Sequence, residues 1–160
     1  MAKVGDKVPS ATLRTLGPEG PKAVTTEELF APGKKVVAFA LPGAFTPTCS
    51  AKHVPGFVAE AEAIKKKGVD TIACISVNDA FVMGAWGKEQ KADGKVKMLA
   101  DGSAKFTQAM GLPMDLVERG MGTRSQRYAM IVDNGVIKDL FVEKPGAFEV
   151  SSAENVLKHL

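Results

Sequence analysis

The sequence predicts an α/β fold with a central mixed β-sheet flanked by helices on both faces. Three observations carry this. The short runs VVAFAL (36–41) and TIACISV (71–77) are continuously apolar, as in strands buried on both faces. Between and after them, apolar residues recur at helical steps. Further on, Asn134-Gly135 separates two more apolar runs, a hairpin signal that adds antiparallel strands.

Each element has its own reason. After VVAFAL a helical pattern runs over 47–67, with Val54, Phe57, Val58, Ala61 and Ile64 on one stripe. Pro55 lies inside it and is expected to kink or split it. The run Lys65-Lys66-Lys67 closes the pattern before Gly68, where cations complement the helix dipole. TIACISV is the second buried strand, and Asn78 or Asp79 caps the next helix, through Phe81, Val82, Ala85 and Trp86. Residues 96–100 read as a short third strand and 103–110 as a short helix ended by Gly111. Residues 112–123, with Pro113, Gly120 and Gly122, read as a loop. RYAMIV (127–132) and VIKDLFV (136–142) form the hairpin. Ser151 or Ser152 caps a last helix, with Glu154 in its first turn.

Composition narrows the function. The 160 residues suit a single domain, 1–160, and 45% apolar with 24% charged residues is a globular profile. A net charge of +3, with both signs dispersed, does not argue for nucleic acid. No stretch is long and apolar enough to cross a membrane, and the first residues show no secretory pattern. A cytoplasmic protein is expected, and a processed organellar form would look the same. Two cysteines do not make a disulfide scaffold; they fit a reducing compartment.

The chemistry gathers at PGAFTPTCS (42–50), after the carboxyl end of the first buried strand, where α/β sheets place their active residues. With Thr46 as cap and Pro47 as first helical residue, Cys49 falls in the first turn. Unpaired N–H groups and the positive end of the dipole there favour thiolate, the nucleophilic form. Small apolar filler is the other reading of a lone cysteine. A disulfide reductase would want Cys-x-x-Cys, whereas here Thr46 stands in the first position. A hydroxyl cannot resolve a mixed disulfide, but it can hydrogen-bond a thiolate or a bound oxygen.

PGAFTPTC carries the Pro-x-x-x-Thr-x-x-Cys pattern of the peroxiredoxins, in Pro42, Thr46 and Cys49. The resemblance continues through KHVPGF, ISVNDAFVMGAW, LADGSAKFTQAMGL and GTRSQRYAMIVDNGVIK, over nearly the whole chain, and is to the atypical type II group. It implies a thioredoxin-like fold and thiol-dependent reduction of hydrogen peroxide and alkyl hydroperoxides, without cofactor or metal. Cys49 would be the peroxidatic cysteine, oxidised to a sulfenic acid. Thr46 would hydrogen-bond thiolate and peroxide, and Pro42 would shield the sulfur from bulk water. Arg124 would be the active-site arginine, a permanent cation near the thiolate whose donors hold the peroxide oxygens. Arg127 competes for that place, and the resemblance favours Arg124.

A sulfenic acid must be reduced by another thiol. Cys74 sits inside TIACISV and is expected to be buried; it is either packing or, as the resemblance to some type II members suggests, a resolving cysteine. The carboxyl-terminal resolving cysteine of other members is absent, since FEVSSAENVL has only serines. Two routes remain, a disulfide between Cys49 and Cys74 or attack by an external thiol, glutaredoxin with glutathione or thioredoxin, and the external route is preferred. His53, four residues after Cys49, reads as a polar neighbour of the pocket rather than a metal ligand. Family resemblance also implies a non-covalent homodimer through loops near the site, where apolar residues such as Phe45, Trp86, Leu112 and Met114 would gather; ordinary core or loop packing is the other reading of these four. A peroxide sensor or chaperone-like protein without turnover is the alternative reading.

Overall fold

The computed structural model describes residues 1–160. Its strands are β1 (Thr12–Gly17), β2 (Gly20–Thr25), β3 (Lys35–Leu41), β4 (Thr71–Ser76), β5 (Lys97–Ala100), β6 (Pro113–Leu116), β7 (Gly122–Ser125), β8 (Tyr128–Asp133) and β9 (Val136–Val142). Seven form one sheet, in the order β2-β1-β5-β4-β3-β8-β9, and β6 pairs with β7 apart from it. β3, β4 and β5 run parallel, while β1, β8 and β9 join antiparallel, so the sheet is mixed as expected.

The apolar runs sit at its centre because both faces are covered. Val37, Phe39 and Leu41 of β3 enter one apolar cluster; Val36, Ala38 and Ala40 enter the other. On the first face lie α2 (Val54–Ala59), α4 (Ala80–Glu89) and α6 (Ala153–Lys158), through Phe57, Met83, Trp86 and Val156. The other face holds α1 (Thr26–Leu29) and α5 (Lys105–Met110), through Leu29, Phe106 and Met110. Burying a side chain such as Phe39 contributes roughly 2–3 kcal/mol.

Two of the expected caps are formed, whereas the hydroxyl of the third, Thr46, donates to the Gly43 carbonyl. Asp79 Oδ1 accepts the Val82 N–H at 2.8 Å and Ser152 Oγ that of Asn155 at 3.1 Å. Asn134 and Gly135 both take left-handed backbone, φ 54° and 76°, as a tight two-residue hairpin requires.

Three features differ from the expectation. Residues 12–25 form a hairpin that no strong apolar alternation announces. The stretch read as a loop, 112–123, contributes β6 and the first half of β7. And the interruption tied to Pro55 takes the form of a change of helix type just ahead of it. The helix begins at Pro47 and widens into one π-turn over Cys49–His53, in which the Val54 N–H reaches back to the Cys49 carbonyl. Pro55 has no N–H to give, and its ring would collide with the carbonyl four residues back; a wider turn ahead of it relieves that conflict. A second interruption comes at Glu60 (φ −95°, ψ 6°), after which α3 (Ala61–Lys66) resumes the stripe.

Candidate active site

β3 delivers the chain to Leu41, and residues 42–46 turn it into the helix that carries Cys49. This turn is tied down from three directions. The Ala44 N–H donates to Asn78 Oδ1 at 2.9 Å, just past the end of β4. The Thr46 hydroxyl donates to the Gly43 carbonyl at 2.6 Å. Arg124 Nη1 donates to the Pro42 carbonyl at 3.2 Å. Phe45 takes φ 62° in this turn, a left-handed conformation costly for a bulky residue, about 1–3 kcal/mol. The surrounding bonds over-determine it.

Cys49 is fully buried in the third helical position. Its neighbour Ser50 accepts a hydrogen bond from Trp86 Nε1 at 3.0 Å, which anchors the first turn to α4. The sulfur itself accepts from Arg127 Nη2 at 3.1 Å. The other end of the same fork, Nη1, lies 2.8 Å from His53 Nδ1.

The arginine on the sulfur is therefore Arg127, where the sequence reading favoured Arg124. The reason is strand register. Tyr128 of β8 pairs with Ala40 of β3, so Arg127 stands beside the end of β3 where the turn to Cys49 begins. Arg124 belongs to β7, paired with Met114 of β6, and its guanidinium is spent on two carbonyls, Pro42 and Met121 (2.9 Å from Nε). A side chain at Gly43 would run into that guanidinium, so the clamp needs glycine there. Thr46 differs too. Its hydroxyl proton is engaged by Gly43, which leaves the oxygen free as an acceptor rather than a donor to sulfur.

His53 is buried and neutral. Burial, and then the charge of Arg127, push its pKa down to about 3, against a smaller opposing effect of its bond to Ser151. Because a guanidinium only donates, Nδ1 accepts and Nε2–H donates to the Ser151 carbonyl at 3.0 Å. No signal in the sequence joined His53 to Arg127 and Ser151, although its four-residue spacing from Cys49 marked it as a neighbour.

Cys74 is fully buried in β4, opposite Phe39, and both cysteines are free. Burial raises its pKa well above the ordinary thiol value; the nearby Cys49 raises it further, and Arg127 opposes. A cleft of about 410 Å³ opens beside Thr48, lined also by Pro42, Arg127, Met114, Glu143 and Pro145. Of the apolar residues read as loop contacts, Trp86 and Leu112 are fully buried core; Phe45 is half exposed, at 52%. No group of three or more His, Cys, Asp or Glu residues is placed to hold a metal, and no helix is long and apolar enough to cross a membrane.

A cysteine at a helix start, beyond the carboxyl end of a parallel strand in a mixed sheet, defines a thiol-redox protein of thioredoxin-like fold. The Redoxin family model matches residues 3–157. The chain is 53% identical over 161 residues to Peroxiredoxin-2E, chloroplastic, of Arabidopsis thaliana, covering 98% of this chain and 68% of that one. It is 48% identical over 157 residues to Peroxiredoxin-2D of the same plant, covering 98% and 97%. The structure of reduced Prx3 from Vibrio vulnificus in complex with hydrogen peroxide superposes with a TM-score of 0.95 at 56% identity, covering 99% of each chain. The chain belongs to the peroxiredoxin family, in its type II group, and is a thiol-dependent peroxidase.

Proposed function

We propose that Cys49 is the thiol that meets peroxide, in one domain spanning residues 1–160, and that hydrogen peroxide and alkyl hydroperoxides are its substrates. The observation that carries this is the guanidinium of Arg127 on the Cys49 sulfur at 3.1 Å, held by a neutral histidine. A permanent cation against a buried sulfur favours the thiolate. Cys74, by contrast, has burial holding its proton on.

Peroxide enters through the cleft beside Thr48 and Arg127. The Cys49 thiolate attacks the oxygen that carries hydrogen, the O–O bond breaks, and the hydroxide or alkoxide leaves to take a proton from water. Sulfur keeps the OH as a sulfenic acid. Thr46 Oγ accepts the O–H of the attacked oxygen, since its own proton is on Gly43. Arg127 stabilises the charge as it moves from sulfur to the leaving oxygen. Arg124 acts one step back, by holding the Pro42 carbonyl and so the turn that shields the sulfur.

An external thiol then displaces water from the sulfenic acid, and a second thiol releases Cys49 as the reduced form. Glutathione with glutaredoxin, or thioredoxin, is the donor. The burial of Cys74 in a central strand supports this route over an internal disulfide. A non-covalent homodimer is supported by exposed Phe45, Phe81 and Val117. The location is a reducing compartment, cytoplasmic or organellar; the relative Peroxiredoxin-2E is a chloroplastic protein.

The test is peroxide consumption coupled in turn to glutathione–glutaredoxin and to thioredoxin, with the native chain and Cys49→Ser. Sustained turnover with a donor in the native chain, and none in Cys49→Ser, is the expected result. Consumption of one equivalent with no turnover under either donor would support the sensor reading instead.

A further inference from the structure

We propose that His53 is a positioning residue of the peroxide reaction, and that the segment 143–151 holds it in that role; this rests on the reading of Cys49 and Arg127 above. The hydrogen bonds form a closed circuit. Arg127 Nη1 donates to His53 Nδ1 at 2.8 Å, and His53 Nε2–H donates to the Ser151 carbonyl at 3.0 Å. The Ser151 N–H and hydroxyl donate to Glu143 Oε2 at 2.8 and 2.7 Å, joined by the Glu149 N–H at 2.8 Å. The Glu143 N–H then donates to the Arg127 carbonyl at 2.9 Å, and the ring is closed.

This circuit has a chemical consequence. Arginine is a long side chain with several donors and many rotamers. With Nη1 taken by His53, Nη2 is left aimed at the sulfur, 3.1 Å away. The imidazole can do this only as an acceptor at Nδ1, and the fixed Ser151 carbonyl selects that tautomer by claiming the Nε2 proton. Phe148, in the same segment, lies against both partners: its ring is 5.1 Å from the His53 ring, edge on, and 5.9 Å from Arg127 Cζ. Arg127 thus sets a positive charge at the sulfur, with neutral His53 behind it and Glu143 and Lys144 lining the cleft beside it.

A packing role for His53 is the rival explanation, since Phe39 and Phe57 also stack against it, at 4.9 and 5.7 Å. The two explanations predict opposite orders of variants. Asn places a carbonyl oxygen near the Nδ1 position and keeps an acceptor for Arg127, though it leaves a gap. Gln reaches the Nε2 position and keeps the donor to Ser151, but loses the acceptor. Leu fills the volume and loses both.

The experiment measures the second-order rate constant with hydrogen peroxide and the pH dependence of Cys49 alkylation, in a Cys74→Ser background. Native, His53→Asn, His53→Gln, His53→Leu and Arg127→Ala chains are compared. The expected result is a fall of about tenfold to a hundredfold in Gln and Leu, with alkylation moved to higher pH, and recovery to within about threefold in Asn. Leu equal to native, or Asn worse than Leu, would overturn the proposal. If His53→Leu does not fold, the Asn and Gln pair decides on the same criterion. Arg127→Ala reports separately on the underlying reading: if it reacts like the native chain, the role of Arg127 fails first; if it is impaired while all His53 variants are not, only the present inference fails.

Discussion

Cys49 and Cys74 are both free, both fully buried, and members of the same apolar cluster. They differ in what the backbone and the neighbours offer. Cys49 stands in the first turn of a helix with a guanidinium on its sulfur; Cys74 stands inside a central strand with Phe39 as its cross-strand partner. Burial alone pushes a thiol toward its protonated form, as it does for Cys74. What sets Cys49 apart is its setting: a helix start beneath it and the Arg127 guanidinium 3.1 Å from its sulfur. Two cysteines of equal exposure can therefore sit in different chemical surroundings, and exposure alone does not rank them.

Removing the local charge is the strongest way to break the contrast. Arg127→Ala is expected to lower the peroxide rate constant by roughly a hundredfold to a thousandfold, as for loss of one preorganised donor at a reacting centre. Arg124→Ala, which loosens the turn without touching sulfur, is expected to cost roughly tenfold. Stopped-flow measurement of peroxide reaction in both variants checks the order. Equal losses, or a larger loss for Arg124, would return Arg124 to the role that the sequence reading gave it.

That ordering also shows where sequence reading reaches and where it stops. The helix start at Pro47, with Cys49 in its first turn, was legible because it is local, whereas Pro42 entered only through the family pattern and the Thr46 hydroxyl, expected as a cap, is spent on the Gly43 carbonyl. The strands of 36–41 and 71–77 were legible because burial on both faces makes them apolar at every position. β1 and β2 were not, since they lie at one side of the sheet and bury few side chains, Leu13 and Val24 among them. Arg124 and Arg127 are three residues apart, equally long and equally charged. Which of them meets the sulfur is decided by the pairing of Tyr128 with Ala40, a register that spans nearly ninety residues and leaves no mark in either segment. The circuit through His53, Ser151 and Glu143 is hidden for the same reason: its links are long-range and two of its acceptors are backbone carbonyls.

The neutral histidine adds a pH signature to the Cys49 side of the comparison. His53 holds a pKa of about 3 when folded, against 6.5 when exposed, so below 6.5 the unfolded chain binds a proton that the native chain refuses. Its contribution to stability is present in full above pH 6.5 and is lost as pH falls toward 3, to the extent of roughly 4 kcal/mol. Glu143 acts in a lower window. Burial raises its pKa, but the hydrogen bonds from Ser151 and Glu149 outweigh this and hold it below its ordinary 4.5. Urea unfolding between pH 6.5 and about 5.5 reads mainly the histidine, because Glu143 and Glu27, both held below 4.5, add to the slope only at lower pH. Native stability is expected to decline through this window, and His53→Asn is expected to flatten the decline; an unchanged slope would mean that His53 is protonated within the folded protein.

The smallest expected effect is at Cys74. Cys74→Ser should leave the peroxide rate constant within about twofold of native, because nothing in the attack on peroxide uses it. Its cost should appear in stability instead, about 1–3 kcal/mol for a hydroxyl buried among apolar side chains. Denaturant unfolding and stopped-flow kinetics on one sample separate the two. Turnover then sharpens the comparison. If the variant cycles normally with glutathione–glutaredoxin or thioredoxin, Cys74 is packing, and the donor reaches Cys49 directly. If turnover stops after one equivalent while the peroxide step stays fast, Cys74 is the resolving thiol. The turn from Pro47 to His53, pinned by Trp86 on Ser50 and by Arg127 on the sulfur, must then release in every cycle to let the two cysteines meet. In that case the bonds that hold Cys49 in place would also limit how fast it is regenerated. Trading a faster first step for a slower second one would be the kinetic mark of the internal route.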